Sequence, residues 1–207
     1  MVAEDQASST EVAAQNACRR GDYGSAATLV LRAYSGEIYS FLLAQFRGNE
    51  GRSDDVFAEF SEDFWRALPK FEWRCSIRAW CYKLARSAAS RSRRSPHNRR
   101  ERRVPLSDAP FLQEFVQVAR ESTQPHLRTE VKDQFQRLRD RLEEDERDLL
   151  ILRVDRELSW KDVAHAMLGP DEVPDDERLR RFEVTLRQRF TEVKKRLRAL
   201  AEEEGLL

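Results

Sequence analysis

The chain has 207 residues, of which 40% are hydrophobic and 36% charged, and its acidic and basic residues are equal in number. This length allows one large domain or two small domains of roughly 100 residues each. No apolar run approaches the roughly 20 residues of a membrane helix, so we expect no membrane insertion.

The amino-terminal sequence MVAEDQASSTEVAAQ lacks the basic start and the apolar core of a secretory signal. We therefore expect a cytoplasmic protein. The three cysteines form no CxxC pair, which favours reduced thiols over a disulfide framework or a zinc site. The three histidines are scattered, so we expect no metal, no cofactor and no catalytic residue.

Charge is distributed unevenly along the chain. Residues 74–103 contain eleven arginines and lysines against a single acidic residue, Glu101, whereas residues 54–63 contain five carboxylates and no base. Separate acidic and basic surfaces in a chain of zero net charge suggest two different partners.

Apolar residues recur at helical spacing from about residue 11 to residue 92, with interruptions at GDYG near residue 21 and at RGNEGRS before Asp54. This pattern predicts about four helices. The stretch after residue 95 is rich in Pro, Arg and Ser and has no period. It predicts a linker over residues 96–127 between helical domains at 10–95 and 128–204; within it, FLQEFVQVA is a short amphipathic segment.

The third predicted helix carries the five carboxylates, which we call the acidic cluster. Ser53 is its predicted N-cap, and its inward residues are Phe57, Phe60, Phe64 and Leu68. The acidic cluster lies opposite them or at the edge: Asp54, Asp55, Glu59, Glu62 and Asp63. The helix dipole favours carboxylates near the helix start, but the last three have only Arg66 as an i,i+4 partner. Two interpretations stay open, a solvated face and a surface for a basic protein.

The fourth predicted helix follows the turn FEWRCS, and its apolar stripe is Ile77, Trp80, Cys81, Leu84, Ala85 and Ala88. A flank outside this stripe is basic and aromatic. A solvated face usually mixes charges to gain i,i+4 pairs, whereas this flank has no acid. Arginines attract a phosphate backbone, and aromatic rings in a turn can stack on unpaired bases. The candidate residues for single-stranded nucleic acid are Phe71, Trp73, Arg74, Arg78, Tyr82, Arg86, Arg93 and Arg94.

The carboxyl-terminal half contains two further helical patterns. LSWKDVAHAMLG predicts a short helix with Ser159 as its N-cap. FEVTLRQRFTEVKKRLRAL predicts a second helix, and Asp175 is a candidate N-cap that would start it near Asp176. Its inward residues are Phe182, Leu186, Phe190, Val193, Leu197 and Leu200, and its outward candidate DNA-reading residues are Thr185, Arg187, Gln188, Thr191, Lys195 and Arg198. Such a pair is typical of a helix-turn-helix.

Taken together, residues 10–204 resemble bacterial sigma factors of the extracytoplasmic-function (ECF) type. The similarity lies in ACRRGDYGSAATLVLRAY, in DVFAEFSEDFWRALPKF followed by SIRAWCYKLARSAASR, and in LSWKDVAHAML with TLRQRFTEVKKRL. It implies an all-α, two-domain transcription initiation factor without enzymatic activity.

The resemblance also implies partners for each surface. The acidic helix would bind core RNA polymerase, the segment from Trp73 to Arg94 would recognise and melt the promoter -10 element, and the second domain would read the -35 element through Thr185, Arg187, Gln188 and neighbouring residues. Family members are often held by an anti-sigma factor, which is therefore a candidate partner.

Two features depart from the family pattern. Ala58 stands where a Gln is common, and fifteen residues separate Gly169 from Thr185 where the family has about four, which predicts an enlarged turn. Two other functions stay open: a helix-turn-helix regulator that binds operator DNA as a dimer, and a sigma-like adaptor that binds only protein.

Overall fold

The computed structural model describes residues 2–94, 136–170 and 172–206, with side chains from Ser9 onward. Every regular element within these ranges is a helix, and no strand occurs in them, which confirms the all-α prediction. The chain divides into two compact units, Met1–Gln124 and Pro125–Leu207. The predicted linker at 96–127, including FLQEFVQVA, lies outside the described residues.

Among its described residues, the first unit contains four α-helices: α1 (Val2–Arg19), α2 (Tyr23–Gln45), α3 (Glu50–Ala67) and α4 (Ile77–Arg94), with a short 3-10 turn at Leu68–Lys70. Both predicted interruptions are present. Gly21 and Gly48 adopt positive φ angles of 75° and 77°, which glycine tolerates without steric strain. The side chain of Asp22 then caps α2 by accepting a hydrogen bond from the Ser25 backbone N–H.

Large aromatic residues of α3 form the centre of this unit. The predicted inward residues Phe57, Phe60, Phe64 and Leu68 are at most 2% exposed, as predicted. Tyr39 of α2 meets Phe57 edge to face, with ring centroids 5.7 Å apart. α4 packs against both α2 and α3, and the small residues of its stripe lie in this core.

The start of α3 differs from the prediction. Its N-cap is Asn49, whose side chain accepts a hydrogen bond from the Arg52 N–H at 3.0 Å, so Ser53 is not the cap. Ser53 is buried within the helix, and its hydroxyl donates to the Asn49 carbonyl at 2.8 Å. The helix therefore begins one turn earlier than predicted. The helix dipole acts most strongly on the first turn, and Asp54 and Asp55 lie after that turn.

The second unit contains helical residues 136–140, α5 (Glu144–Leu150), a π-helical turn (Ile151–Asp155), α6 (Trp160–Met167) and α7 (Asp176–Glu203). Both predicted caps are confirmed: Ser159 accepts from the Asp162 N–H, and Asp175 accepts from the Arg178 N–H. α7 has 28 residues and is therefore about 42 Å long. Of its predicted inward residues, Leu186, Val193 and Leu200 are buried and the others are half-buried.

The connection between α6 and α7 folds back onto the first turn of α7. The Gly169 N–H donates to the Glu172 carboxylate at 3.0 Å, and the same carboxylate forms an ion pair with Arg178 at 3.0 Å. Pro174 is buried next to the Asp175 cap. These contacts join the connection to the start of α7. The helix begins at Asp176, so about two helical turns precede Thr185. Within the described ranges, each helix is too short or too polar to span a bilayer.

Candidate nucleic-acid and partner interfaces

All five members of the acidic cluster are half-buried on α3. Asp54 accepts a hydrogen bond from the Tyr39 hydroxyl at 2.7 Å. Asp63 forms an ion pair with Arg91 of α4, a partner that the i,i+4 spacing within α3 does not predict. The cause is tertiary, because α3 and α4 lie side by side and bring an arginine 28 residues away to this carboxylate.

Glu62 lies in surroundings that disfavour its negative charge. Burial raises the pKa of its carboxyl above the usual value, Arg66 acts in the opposite direction, and Asp63 raises it further. Arg66 lies 3.5 Å away and its own side chain is 56% exposed, so the pair is weak.

The basic flank of α4 is less available than the sequence predicted. Tyr82 was placed outside the core, but it is fully buried and meets Phe41 edge to face, with centroids 5.4 Å apart. That placement is wrong because α4 packs against two helices, which widens its buried face beyond a single stripe.

Arg78 is also engaged within the fold. Its Nε and Nη2 donate to the two carboxylate oxygens of Glu37 on α2 at 2.8 and 2.7 Å. Burial opposes its positive charge, but the hydrogen bonds and charge of Glu37 outweigh burial and raise the pKa of Arg78. Arg78 thus joins α2 to α4.

Two arginines, Arg93 at the end of α4 and Arg52 of α3, lie over the same aromatic ring, and Arg52 was not predicted from the sequence. Arg93 donates to the Gln45 side chain and lies 5.1 Å above the Phe46 ring. Arg52 of α3 lies 4.5 Å above the same ring and donates to the Ser92 carbonyl at 3.3 Å. Arg52 was missed because its place beside Arg93 depends on tertiary packing.

The remaining arginines of the flank differ in exposure. Arg74 and Arg94 are exposed, whereas Arg86 is half-buried. Arg94 donates to the Ser90 hydroxyl at 3.2 Å, a bond to a neutral neighbour within α4. Arg74 and Arg94 are therefore the most accessible cations of the predicted set.

The turn before α4 holds a stack of aromatic rings. Phe71 lies nearly parallel to Trp80, with centroids 4.4 Å apart and an interplanar angle of 16°. Trp73 tilts against Phe71 at 4.9 Å, and Trp80 contacts the buried Phe64 at 5.3 Å. The Trp73 backbone has a φ of +58°, a left-handed conformation that is uncommon for a bulky residue and clusters at functional sites.

The predicted DNA-reading residues of α7 are all exposed along this helix: Thr185, Arg187, Gln188, Thr191, Lys195 and Arg198. The cations among them form ion pairs within α7, such as Lys195 with Glu192 at 2.9 Å and Arg198 with Glu202 at 3.1 Å. Solvent-exposed pairs of this kind contribute about 1 kcal/mol or less and can be exchanged for phosphate contacts.

Other basic residues of α7 serve a different purpose. Arg189 and Arg196 pair with Asp145 and Glu146 at the start of α5, at 3.7 and 2.9 Å. At the far end, Arg141 pairs with Glu203 and Glu204. These pairs join α7 to other elements of its own unit, whereas the ion pairs of Lys195 and Arg198 lie within the helix.

Within the part of the chain that the structure describes, no group of three or more His, Cys, Asp and Glu residues is arranged to hold a metal ion, and no disulfide occurs. No protein-family model matches the chain, and a search of curated proteins finds no significant match.

The burial of Glu62 leads to a prediction about pH. Because its folded-state pKa is raised, ionisation of Glu62 opposes folding, and this effect is present at neutral pH and disappears as pH falls through that pKa. Glu62→Gln should therefore increase the free energy of unfolding near neutral pH, and the gain over wild type should shrink as pH falls toward the unperturbed value of 4.5.

Urea denaturation across this pH range measures the difference. Glu192→Gln, which removes an exposed carboxylate paired with Lys195, is the matched control and should show no such gain. A destabilised Glu62→Gln variant with no pH dependence would contradict the assignment.

Proposed function

We propose that this chain is a sigma factor of the ECF type, which binds core RNA polymerase and directs it to promoters without enzymatic activity of its own. The observation that carries the proposal is the arrangement of α3, the aromatic turn and α4. One pair of packed helices presents half-buried carboxylates on α3 and, at the turn that joins the helices, a strained tryptophan.

The acidic cluster is the proposed polymerase-binding surface. Asp55 and Glu59 occupy its middle, and a partner cation would offset the burial that disfavours the charge of Glu62. Asp54 and Asp63 are oriented by Tyr39 and Arg91, so we assign them a smaller share of the binding. Electrostatic complementarity of this kind favours a basic protein surface.

The aromatic turn and the end of α4 are the proposed surface for the melted -10 element. Trp73 is the outermost ring of the stack and is supported by Phe71, which in turn is supported by Trp80. Stacking on a fixed ring suits an unpaired base. Arg74, Arg93 and Arg94 supply the cations for the backbone, whereas Tyr82 is left out of the proposed surface because it is buried.

The outward face of α7 is the proposed surface for the duplex -35 element, with α6 and α7 as a helix-turn-helix that has an enlarged turn. Recognition helices usually contact base edges with their N-terminal residues. Here the first turn carries Asp176 and Glu177, which repel phosphate. We therefore assign the contact to the middle of the helix, from Thr185 onward.

A second function, a sigma-like adaptor that binds only protein, is favoured by one observation. Arg78 and Arg91 of α4 form ion pairs with Glu37 and Asp63, which reduces the basic charge available to DNA. Promoter-dependent transcription separates the two functions, and co-elution with core polymerase separates both from an operator-binding regulator.

A sigma factor acts where polymerase and promoters are, so the proposal includes a cytoplasmic location. An anti-sigma factor is the natural inhibitor of such a protein.

Reversing charge in the middle of the acidic cluster should weaken polymerase binding. The double variant Asp55→Lys with Glu59→Lys is expected to lower the affinity for core enzyme by about 1 to 3 kcal/mol, because attraction to a basic surface becomes repulsion. Fluorescence titration of labelled protein with core enzyme measures this change.

The control is Glu192→Lys with Glu202→Lys, which makes the same change in net charge at exposed positions of α7. Both variants should retain wild-type helicity by circular dichroism. Equal affinities for the acidic-cluster variant and wild type would refute the assigned surface.

Removing the outermost ring should impair promoter melting. Trp73→Ala is expected to reduce open-complex formation by about 1 to 3 kcal/mol, the usual contribution of one base–aromatic stack, and permanganate footprinting detects the unpaired thymines. Trp73→Phe keeps a ring and should retain most of the melting.

Trp73→Gly provides a sharper comparison. Glycine suits a φ of +58°, so this variant relieves backbone strain and yet lacks the ring. It should melt promoters as poorly as Trp73→Ala. Normal footprints with Trp73→Ala or Trp73→Gly would show that Trp73 does not stack on a base.

A further inference from the structure

Trp160, the first residue of α6, contacts side chains from two other elements. Its ring meets Phe190 of α7 edge to face, with centroids 5.6 Å apart. The guanidinium carbon of Arg187, also on α7, lies 5.5 Å from the Trp160 ring centroid. The guanidinium carbon of Arg153, in the π-helical turn, lies 5.4 Å from it. Both distances are within the range of a cation–π interaction.

The position of Trp160 is fixed by its surroundings. Ser159 caps α6 and so fixes the helix start at which Trp160 stands. Phe190 lies three residues after Arg187, on the same side of α7, so the ring that anchors Trp160 also brings it beside Arg187. Arg153 is held separately, because its Nη1 donates to the Leu158 carbonyl at 3.0 Å.

Arg187 has two neighbours that attract its guanidinium. The carboxylate of Glu183, one turn earlier on α7, lies 3.8 Å away, which is longer than a good hydrogen bond. The Trp160 ring is the other neighbour. The contact with the Trp160 ring restricts the Arg187 side chain. The side chain is still 56% exposed, so it is accessible to a ligand.

We propose that Trp160 is a positioning residue, which holds the Arg187 guanidinium in the orientation that contacts duplex DNA. This inference rests on the proposed function of the α7 face. An arginine that is ordered before binding loses less conformational entropy when it binds. Without the ring, Arg187 gains rotamer freedom and turns toward Glu183, so its DNA contact weakens although Arg187 itself is unchanged.

A set of double-mutant cycles tests the proposal with the full chain and a mixed-sequence DNA duplex of about 30 base pairs, roughly three helical turns. The variants are Trp160→Leu, Trp160→Phe, Arg187→Gln and the double variant Trp160→Leu with Arg187→Gln. Fluorescence anisotropy at low ionic strength gives the affinities, and thermal denaturation confirms that each variant is folded.

Trp160→Leu is expected to weaken DNA binding about two- to fivefold, the range of an exposed cation–π interaction. In the Arg187→Gln background the same change should have no further effect, because the side chain that Trp160 orders is already gone. Trp160→Phe keeps an aromatic face and should bind nearly as tightly as wild type.

Arg198→Gln is the matched control, since Arg198 lies on the same helix and pairs with Glu202 instead of a ring. Trp160→Leu should therefore add its full effect to that of Arg198→Gln. A purely structural role for Trp160 would couple it equally to both arginines.

The outcomes separate the inference from the proposed function. Additive effects of Trp160→Leu and Arg187→Gln would overturn the positioning role while leaving α7 as a DNA-binding face. Weaker binding with Arg198→Gln but not with Arg187→Gln would also overturn it. If the wild-type chain does not bind the duplex at all, the proposed DNA-binding face and the inference fail together.

Discussion

A continuous series of aromatic contacts runs from the core of the first unit to its surface, and the other features of that unit depend on it. The series starts at Phe57, passes through Phe60 and Phe64 of α3 to Trp80 of α4, and continues through Phe71 to Trp73. Aromatic pairs contribute about 0.5 to 1.5 kcal/mol each beyond the area they bury. The series therefore fixes α3 against α4 and sets the direction of the turn between them.

This packing explains both proposed surfaces of the unit. Because one face of α3 is occupied by aromatic rings, its carboxylates are confined to the other face. The series ends at Trp73, so the Trp73 ring is supported by its contact with Phe71. The Trp73 backbone has a conformation that a bulky residue rarely adopts. Rigid support of a half-buried aromatic residue favours recognition, since little side-chain freedom remains to be lost on binding.

In the second unit, α7 serves as both a structural element and an exposed surface. Arg189 and Arg196 turn toward α5 and form ion pairs there, whereas Arg187 and Arg198 stay outward. Two turns of α7 precede Thr185, and the Glu172 carboxylate joins the connection before α7 to its first turn. In the proposed function these two turns place the DNA contact toward the middle of the helix.

The sequence predicted the features that depend on local chemistry. Helical periodicity located the inward phenylalanines of α3, and cap chemistry located the starts of α6 and α7 at Ser159 and Asp175. The cap of α3 was wrong because periodicity does not distinguish Asn49 from Ser53 one turn later.

Features that depend on tertiary packing could not be predicted from the sequence. Tyr82 is buried because α4 contacts two helices instead of one. Asp63 pairs with an arginine from another helix, and Arg187 meets a tryptophan 27 positions away only because α6 packs against α7. Each of these contacts changes which residues of a predicted surface remain available to a partner.

Run-off transcription with purified core RNA polymerase, with and without this chain, on a library of genomic fragments tests the sigma-factor assignment. A sigma factor should give discrete transcripts that require the chain and that begin downstream of shared upstream sequence elements. Stable binding to core enzyme without any chain-dependent transcript would contradict the sigma-factor assignment and favour the adaptor, and failure to bind core enzyme would contradict both.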